Sequence, residues 1–348
     1  MFKNFCKRII FILIFYNSFV YSDTYFDGRF YEQALLFFDK KVSYSGFTIL
    51  GLNLDTRPFE SVRIRSEIEL PFNHNRKVED PKLKVNTLNI SFLFKDSRLT
   101  VGRFLPLWGV CRVFRPMDLF RTQTFIQHNL SFSGVDGFFW KFYSDSISSG
   151  FIVLPESDIE NTRLSVFLEK TYEKFEGFVA YLYDPYVPES FVGGTFRMDL
   201  FFTLKAETLY KYSYKTFNND RSCFKFSVSA DWSCKKIFFI SAGYFFDESG
   251  VLKESYKLLR SFEPDRFTLS RHYIDLDSFL IFDDLRTGIS GIMNLIDKSI
   301  VCGPYFSFEL FDNLFIGFSW YLFFGKKDTE FNPLYKYGIC DIYSFVKF

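Results

Sequence analysis

Apolar and polar residues alternate one by one along most of this chain. Val62, Ile64, Ile68 and Leu70 share one face of a segment whose other face carries Arg63, Arg65, Glu67 and Glu69. Phe224, Phe226, Val228, Ala230 and Trp232 alternate with Lys225, Ser227, Ser229, Asp231 and Ser233. Leu204, Ala206, Thr208, Tyr210 and Tyr212 alternate with Lys205, Glu207 and Lys211, and Leu314 to Phe324 repeats the pattern with Gly317, Ser319 and Tyr321. A period of two over nine or ten residues predicts β-strands. That length suits a tilted membrane crossing better than the shorter strands of soluble domains.

The pattern places strands at 28–38, 42–54, 61–71, 82–95, 97–107, 134–144, 146–155, 162–172 and 175–184. Nine more follow at 191–202, 204–215, 223–234, 237–247, 273–282, 285–296, 300–311, 314–325 and 336–348. The connections alternate in kind. Tight ones include Lys95-Asp96-Ser97, Ser144-Asp145-Ser146, Glu173-Lys174-Phe175, Cys234-Lys235-Lys236 and Phe311-Asp312-Asn313. Longer ones are 72–81, 108–133, 155–161, 185–190, 216–222, 248–272 and 326–335. The predicted fold is an all-β transmembrane antiparallel β-barrel of 16–18 strands, best count 18, with short periplasmic turns and longer extracellular loops. The first hairpin and the short 296–300 connection fit this scheme least well.

Residues 97–143 break the rhythm. The run Leu99 to Gly102 leads into a stretch without alternation, and Asp136, Phe138, Trp140 and Phe142 then resume it on one face. The interruption carries Arg112, Arg115 and Arg121 against Asp118, so it is locally basic. By strand count it is the third connection on the long-loop side. Arg103 shares a face with Val101 and Leu105 and would point to lipid, unless a bulge or an early strand end intervenes near Gly102.

Composition sharpens this picture. Phe is 51 and Tyr 21 of 348 residues, far above average usage. Beyond the N-terminus, no apolar run reaches transmembrane-helix length. Residues 1–22 combine Lys3, Lys7 and Arg8 with an apolar core at 9–15, and Val20-Tyr21-Ser22 offers a cleavage site. This reads as a signal peptide cleaved near Ser22, leaving 23–348 as one barrel domain. Cys6 precedes the apolar core and is not placed as a lipoprotein cysteine. Basic and acidic residues number 42 and 41, and loss of the leader leaves a slight acidic excess. That balance argues against a nucleic-acid partner.

A lipid-facing charge costs about 2–4 kcal/mol at the bilayer midplane. Arg63, Arg65, Glu67, Glu69, Arg197, Asp199, Lys205, Glu207, Lys211, Lys225, Asp231 and Glu309 are therefore expected to line the lumen. With sixteen to eighteen strands the interior is wide enough for an aqueous channel, unless a loop plugs it.

Gly102-Arg103, Trp108-Gly109, Pro116-Met117-Asp118-Leu119-Phe120 and Gly134-Val135-Asp136 resemble a pattern in a porin-like family of Gram-negative outer-membrane proteins, spirochaete examples included. Asn294-Leu295-Ile296-Asp297 through Asp312-Asn313-Leu314 look like that family's late strands. The resemblance implies that loop 108–133 folds inward and forms the constriction, with Arg112, Arg115, Asp118 and Arg121 at its edge. Tyr343, Phe345 and Phe348 resemble the final strand of bacterial outer-membrane proteins, which implies recognition by the barrel-assembly machinery.

Little else suggests chemistry. His74, His128 and His272 fall in or beside long loops; Ser131 and Ser133 lie near His128, but spacing alone sets no nucleophile–base geometry. Asp275 and Asp277 share a face, where pore lining is the blander reading than a cation site. Gly193-Gly194 is an isolated pair, not a phosphate loop. Cys111, Cys223, Cys234, Cys302 and Cys340 are odd in number and lack CxxC spacing, so neither disulfides nor zinc are indicated. Cys223 and Cys234 lie at the two ends of one predicted strand. No enzyme, cofactor or metal is expected.

The sequence thus predicts a passive outer-membrane channel for small hydrophilic solutes, with anions favoured by Arg112, Arg115 and Arg121. The alternative is a surface-exposed adhesin or ligand-binding barrel using the 248–272 loop (Lys253, Lys257, Arg260, Arg266, Arg271). A transporter for apolar solutes fits less well, because the Phe residues fall opposite the charges. Assembly as a homotrimer is left open.

Overall fold

The structure, a computed structural model, describes residues 23–38, 42–74, 83–120, 134–185, 188–213, 222–252, 268–311, 313–326, 329–331 and 338–348. The leader, Arg121, His128, Ser131, Ser133, Lys253, Lys257, Arg260 and Arg266 lie outside these residues. The described chain forms β1 (Asp23–Phe38), β2 (Val42–Phe59), β3 (Val62–Asn73), β4 (Lys84–Leu93), β5 (Ser97–Phe104) and β6 (Val135–Tyr143). It continues through β7 (Ile147–Leu154), β8 (Arg163–Tyr172), β9 (Phe175–Asp184), β10 (Glu189–Asp199), β11 (Thr203–Ser213) and β12 (Cys223–Cys234). It ends with β13 (Phe238–Asp247), β14 (His272–Phe282), β15 (Leu285–Asn294), β16 (Ile300–Phe311), β17 (Leu314–Phe324) and β18 (Gly338–Lys347).

Each strand pairs antiparallel with its neighbours in sequence, and β1 pairs with β18. Arg29 stands opposite Lys347 and Phe38 opposite Gly338, so the eighteen-stranded sheet closes on itself. Closure leaves no edge, the condition for a sheet to cross hydrocarbon. The eighteen predicted strands are the eighteen observed, with shifts of a few residues at their ends; Cys223 and Cys234 do bound one strand. The short turns are made by chain reversals in which Glu173, Lys235, Lys236, Asp283 and Asn313 adopt φ between 46° and 77°. This left-handed backbone matches the twist of tight hairpins. The short 295–299 connection between β15 and β16 is an observed feature of the long-loop side.

Alternation sorts the side chains. Leu164, Val166 and Leu168 on β8, Val179 on β9, Leu276 on β14 and Ile289 on β15 are exposed on the outer wall. The residues between them point inward. Lumen charges pair between strands: Arg29 of β1 reaches across β2 to Glu67 and Glu69 of β3, and pairs on adjacent strands are Arg63 and Arg65 with Asp55, Lys205 with Asp231, Lys211 with Glu189, and Lys225 with Asp247.

The Arg103 conflict resolves differently from expectation. β5 does end early, at Phe104 rather than 107, but its pairing with β4 and β6 is regular through Gly102, whose φ is +115°. Arg103 therefore stays outward. It is held there by Asp136 on β6 (Nε to Oδ1, 3.0 Å) and by the Val85 carbonyl (3.2 Å).

The two faces should respond oppositely to added charge. Leu276→Arg, on the lipid face, is expected to destabilise the barrel in bilayers by about 2–4 kcal/mol, and Ser290→Arg, opposite Asp277 on the lumen side, by less than about 1 kcal/mol. Denaturant titration of protein folded into vesicles measures both.

Candidate functional site: a loop across the lumen

β5 and β14 stand half a turn apart in the ring, yet the chain leaving β5 reaches β14. The crossing starts with Phe104, which packs with Ile152 and Leu154 of β7, joined by Trp108, Phe120, Val135 and Phe139. Trp108 meets the edge of Phe120 (5.3 Å between centroids) and Phe178 of β9 (5.6 Å). Met117 lies deeper, in a cluster with Phe167, Ala180 and Leu209.

This segment has no regular structure, so its amides need partners. Two carboxylates supply them. Asp118 Oδ1 accepts the Gly109 N–H (2.7 Å) and the Trp108 N–H (3.2 Å), closing the loop on itself. Arg115 completes this turn, donating to the Cys111 carbonyl (2.6 Å) and pairing with Asp118 (3.7 Å). Glu207 on β11 is fully buried and takes three amides: Val110 (2.6 Å) and Cys111 (2.5 Å) on Oε1, Met117 (3.1 Å) on Oε2. Beyond Glu207, Arg112 pairs with Asp277 of β14 and lies over the rings of Phe239 (4.7 Å) and Phe279 (5.4 Å). Asp277 also accepts from the Tyr305 hydroxyl (3.0 Å). Phe114 stacks on Phe245 at 4.6 Å and 7°.

A second inward contact comes from residues 329–331. Glu330, 2% exposed, accepts from the Leu269 N–H (2.8 Å), the Tyr273 hydroxyl (2.6 Å) and the Asn294 side-chain amide (2.8 Å). Phe331 joins Phe114, Leu35, Phe245, Tyr273, Ile292, Val301, Tyr321 and Ile339 in one apolar cluster. The lumen beside β13–β18 and β1 is thereby closed with apolar side chains near its long-loop end.

The opposite sector keeps a cavity of about 420 Å³. Its roof is Leu105 to Val110. Its walls carry Arg63, Arg65, Arg98, Lys141 and Arg197 against Glu169 and Glu176, with Phe139, Phe167 and Phe178 between them. Lys141 pairs with Glu169, and Arg197 with Asp199 (3.1 Å) and Glu176 (3.7 Å). Arg98 has no carboxylate partner among the described residues and sits 5.8 Å from the Phe139 ring centre.

Of the residues expected to matter, Arg63, Arg65 and Arg197 line this cavity, while Glu207, Arg112, Arg115 and Asp118 shape the crossing loop. Sequence reasoning missed Arg98 and Lys141. Their lumen-facing neighbour Phe139 is aromatic, so β6 shows no polar face; Arg98 sharing a face with Thr100 was the available signal. Among the described residues no cluster of three or more His, Cys, Asp or Glu side chains could hold a metal.

A closed eighteen-stranded barrel with an apolar outer wall and a charged, loop-crossed interior defines an outer-membrane-type β-barrel protein. No family model matches the chain, and no curated protein does. Solved structures do. The Pseudomonas aeruginosa outer membrane protein OpdK superposes with a TM-score of 0.62 at 9% identity, covering 94% of this chain and 98% of OpdK. P. aeruginosa OccK3 (OpdO) gives 0.62 at 10% identity over 94% and 95%. Acinetobacter baumannii OccAB3 gives 0.61 at 9% identity over 94% and 99%. At such identities the likeness is one of fold.

Cys111 reports on the loop's seating. Burial, together with the adjacent Glu207 carboxylate, pushes its thiol up to about 12. At pH 8 only about one thiol in ten thousand would then be the reactive thiolate. Maleimide should leave Cys111 unlabelled in the native protein. In Glu207→Ala, which strands three amides, labelling should rise by orders of magnitude, as read by peptide mass mapping.

Proposed function

We propose that the chain is an outer-membrane porin: a passive channel through which small hydrophilic solutes, anions favoured, cross past loop 105–134. The fold-level likeness to the Occ (OprD) porins supports this. So does an interior too wide for wall side chains to fill. The observation that carries the reading is the surviving cavity under the crossing loop, with basic side chains in excess along its wall. Arg98 is the strongest candidate for drawing in anions, because its charge is unopposed nearby.

In this reading Arg112, Arg115 and Asp118, together with Arg121, set the width of the constriction. Arg112 and Arg115 do so by holding the loop in place through Asp277, Asp118 and the Cys111 carbonyl. The wall arginines, and Arg98 above all, set the sign preference. Export through a leader cleaved near Ser22 and delivery of β18 to the barrel-assembly machinery belong to the same proposal.

Planar-bilayer recording tests it. The purified barrel should give ohmic steps with anion preference. Arg98→Glu should move the reversal potential toward cation preference at nearly unchanged conductance. Arg112→Ala should raise conductance and noise by loosening the loop. An intact barrel that does not conduct would overturn the channel and favour a surface-binding role.

A further inference from the structure

One carboxylate beneath the crossing loop is left over. Tyr273, Asp275, Asp277 and Phe279 follow one another along the lumen face of β14. Phe114 meets Tyr273 (5.7 Å between centroids) and Arg112 lies over Phe279, so residues 112–114 run along this row in the opposite direction. Asp277 is in use: it pairs with Arg112 and accepts from the Tyr305 hydroxyl. Asp275 lies between the two contacts and is as deeply buried, each carboxylate being 6% exposed. Yet no donor reaches its Oδ1.

Its surroundings name the one group that can relieve it. The carboxylate leans over Gly243 of β13, where a Cβ would stand 2.3 Å from Oδ2. The charged groups that act on it among the described residues are Asp231, Asp277 and Arg112. Asp231 is already held by Lys205 and by the Ser241 hydroxyl (2.6 Å each). That leaves Arg112 as the cation on hand, and a buried carboxylate without donors is costly. Glu207 holds the amides of Cys111 and Met117, on either side of Arg112 in the chain. Between those pins the Arg112 side chain is partly exposed and able to swing. Asp275 and Asp277 stand two residues apart on one strand, ~7 Å along it.

We infer that β14 offers Arg112 two seats, Asp277 and Asp275, and that the crossing loop is a two-position latch. The latch rests on the channel proposed above and supplies its regulation. The structure shows the first seat, in which Phe239 and Phe279 also face the guanidinium. In the second, the guanidinium moves toward the long-loop end of β14, leaves those rings and clears the lumen beside Phe279. Asp275 gains its counter-ion, and Asp277 keeps the Tyr305 hydroxyl. Either seat leaves one carboxylate short of a cation, so the two lie close enough in energy to exchange. The second seat is the wider one and carries a higher conductance.

Asparagine variants of the full-length barrel separate the seats in planar bilayers. The parent should step between a main level and a higher one. Asp275→Asn should keep the main level alone, and Asp277→Asn should hold the higher level without added noise. Asp275→Asn/Asp277→Asn should be as noisy as Arg112→Ala. An Asp277→Asn barrel already as noisy as Arg112→Ala would overturn the latch, because the loop would then have one seat. A double variant that behaves like Asp277→Asn would overturn it too. The midpoint temperature of the heat-modifiable gel shift reads the same coupling without conduction. Asp275→Asn should lower it in the Asp277→Asn background but not in the parent, and that difference should vanish in Arg112→Ala. Equal effects in both backgrounds would sink the latch. A silent barrel that keeps this coupling would sink the channel reading and leave the two seats standing.

Discussion

The Glu207 carboxylate decides what kind of barrel this is. Eighteen strands enclose more space than wall side chains can fill, and the space is taken by a loop that brings its own unpaired amides inside. Val110, Cys111 and Met117 present three N–H groups to one fully buried carboxylate. The arrangement is mutual. Without the amides, Glu207 would be an isolated buried charge; without Glu207, the loop would leave donors unsatisfied away from bulk water. Asp118 repeats the device within the loop, and Arg112 fastens its far end to Asp277. The crossing, rooted on β5, is therefore pinned to β11 and β14 on the far side of the ring, and the lumen is divided rather than capped.

The division separates two environments. On the side of β13–β18, Phe114 and Phe331 from two different connections meet Tyr273 and a wall of aliphatic side chains, leaving an apolar plug. On the side of β3–β10, the wall is polar and basic, and the loop forms a roof over a cavity. Most lumen charges, those of Arg63, Arg65, Lys141 and Arg197 on the cavity wall included, have a carboxylate partner close by, so they contribute little field of their own. Arg98 lies beside aromatic faces instead, which leaves its charge free to act on a passing solute.

Most of the architecture was legible because a lipid-facing wall forces a strict period of two. Every charge opposite an apolar face on β3, β11 and β12 fixed which way those strands point, and the turn residues fixed the hairpins. The interior was less legible. Glu207 could be assigned to the lumen from Leu204, Ala206 and Thr208 alternating around it, but nothing local says that it binds amides almost a hundred residues earlier. Arg98 and Lys141 were hidden because Phe139, Phe167 and Phe178 face inward, where an aromatic residue carries no orientation signal in so Phe-rich a chain. The expectation of a bulge or an early strand end near Gly102 rested on the assumption that Arg103 could not face outward. It can, because Asp136 stands opposite it in register and supplies the compensating charge.

That pair links the inner and outer surfaces. The chain abandons β5 at Phe104 so that Trp108 can reach Phe178 and the following amides can reach Glu207. Early departure shortens β5, and β6 and β7 with it, so the wall is lowest where the loop turns in. Arg103 is the last residue but one of β5 and Asp136 the second of β6, and their pairing ties the two strands together at the rim of the gap. The price of a loop inside the barrel is thus a weakened stretch of lipid-facing wall outside it.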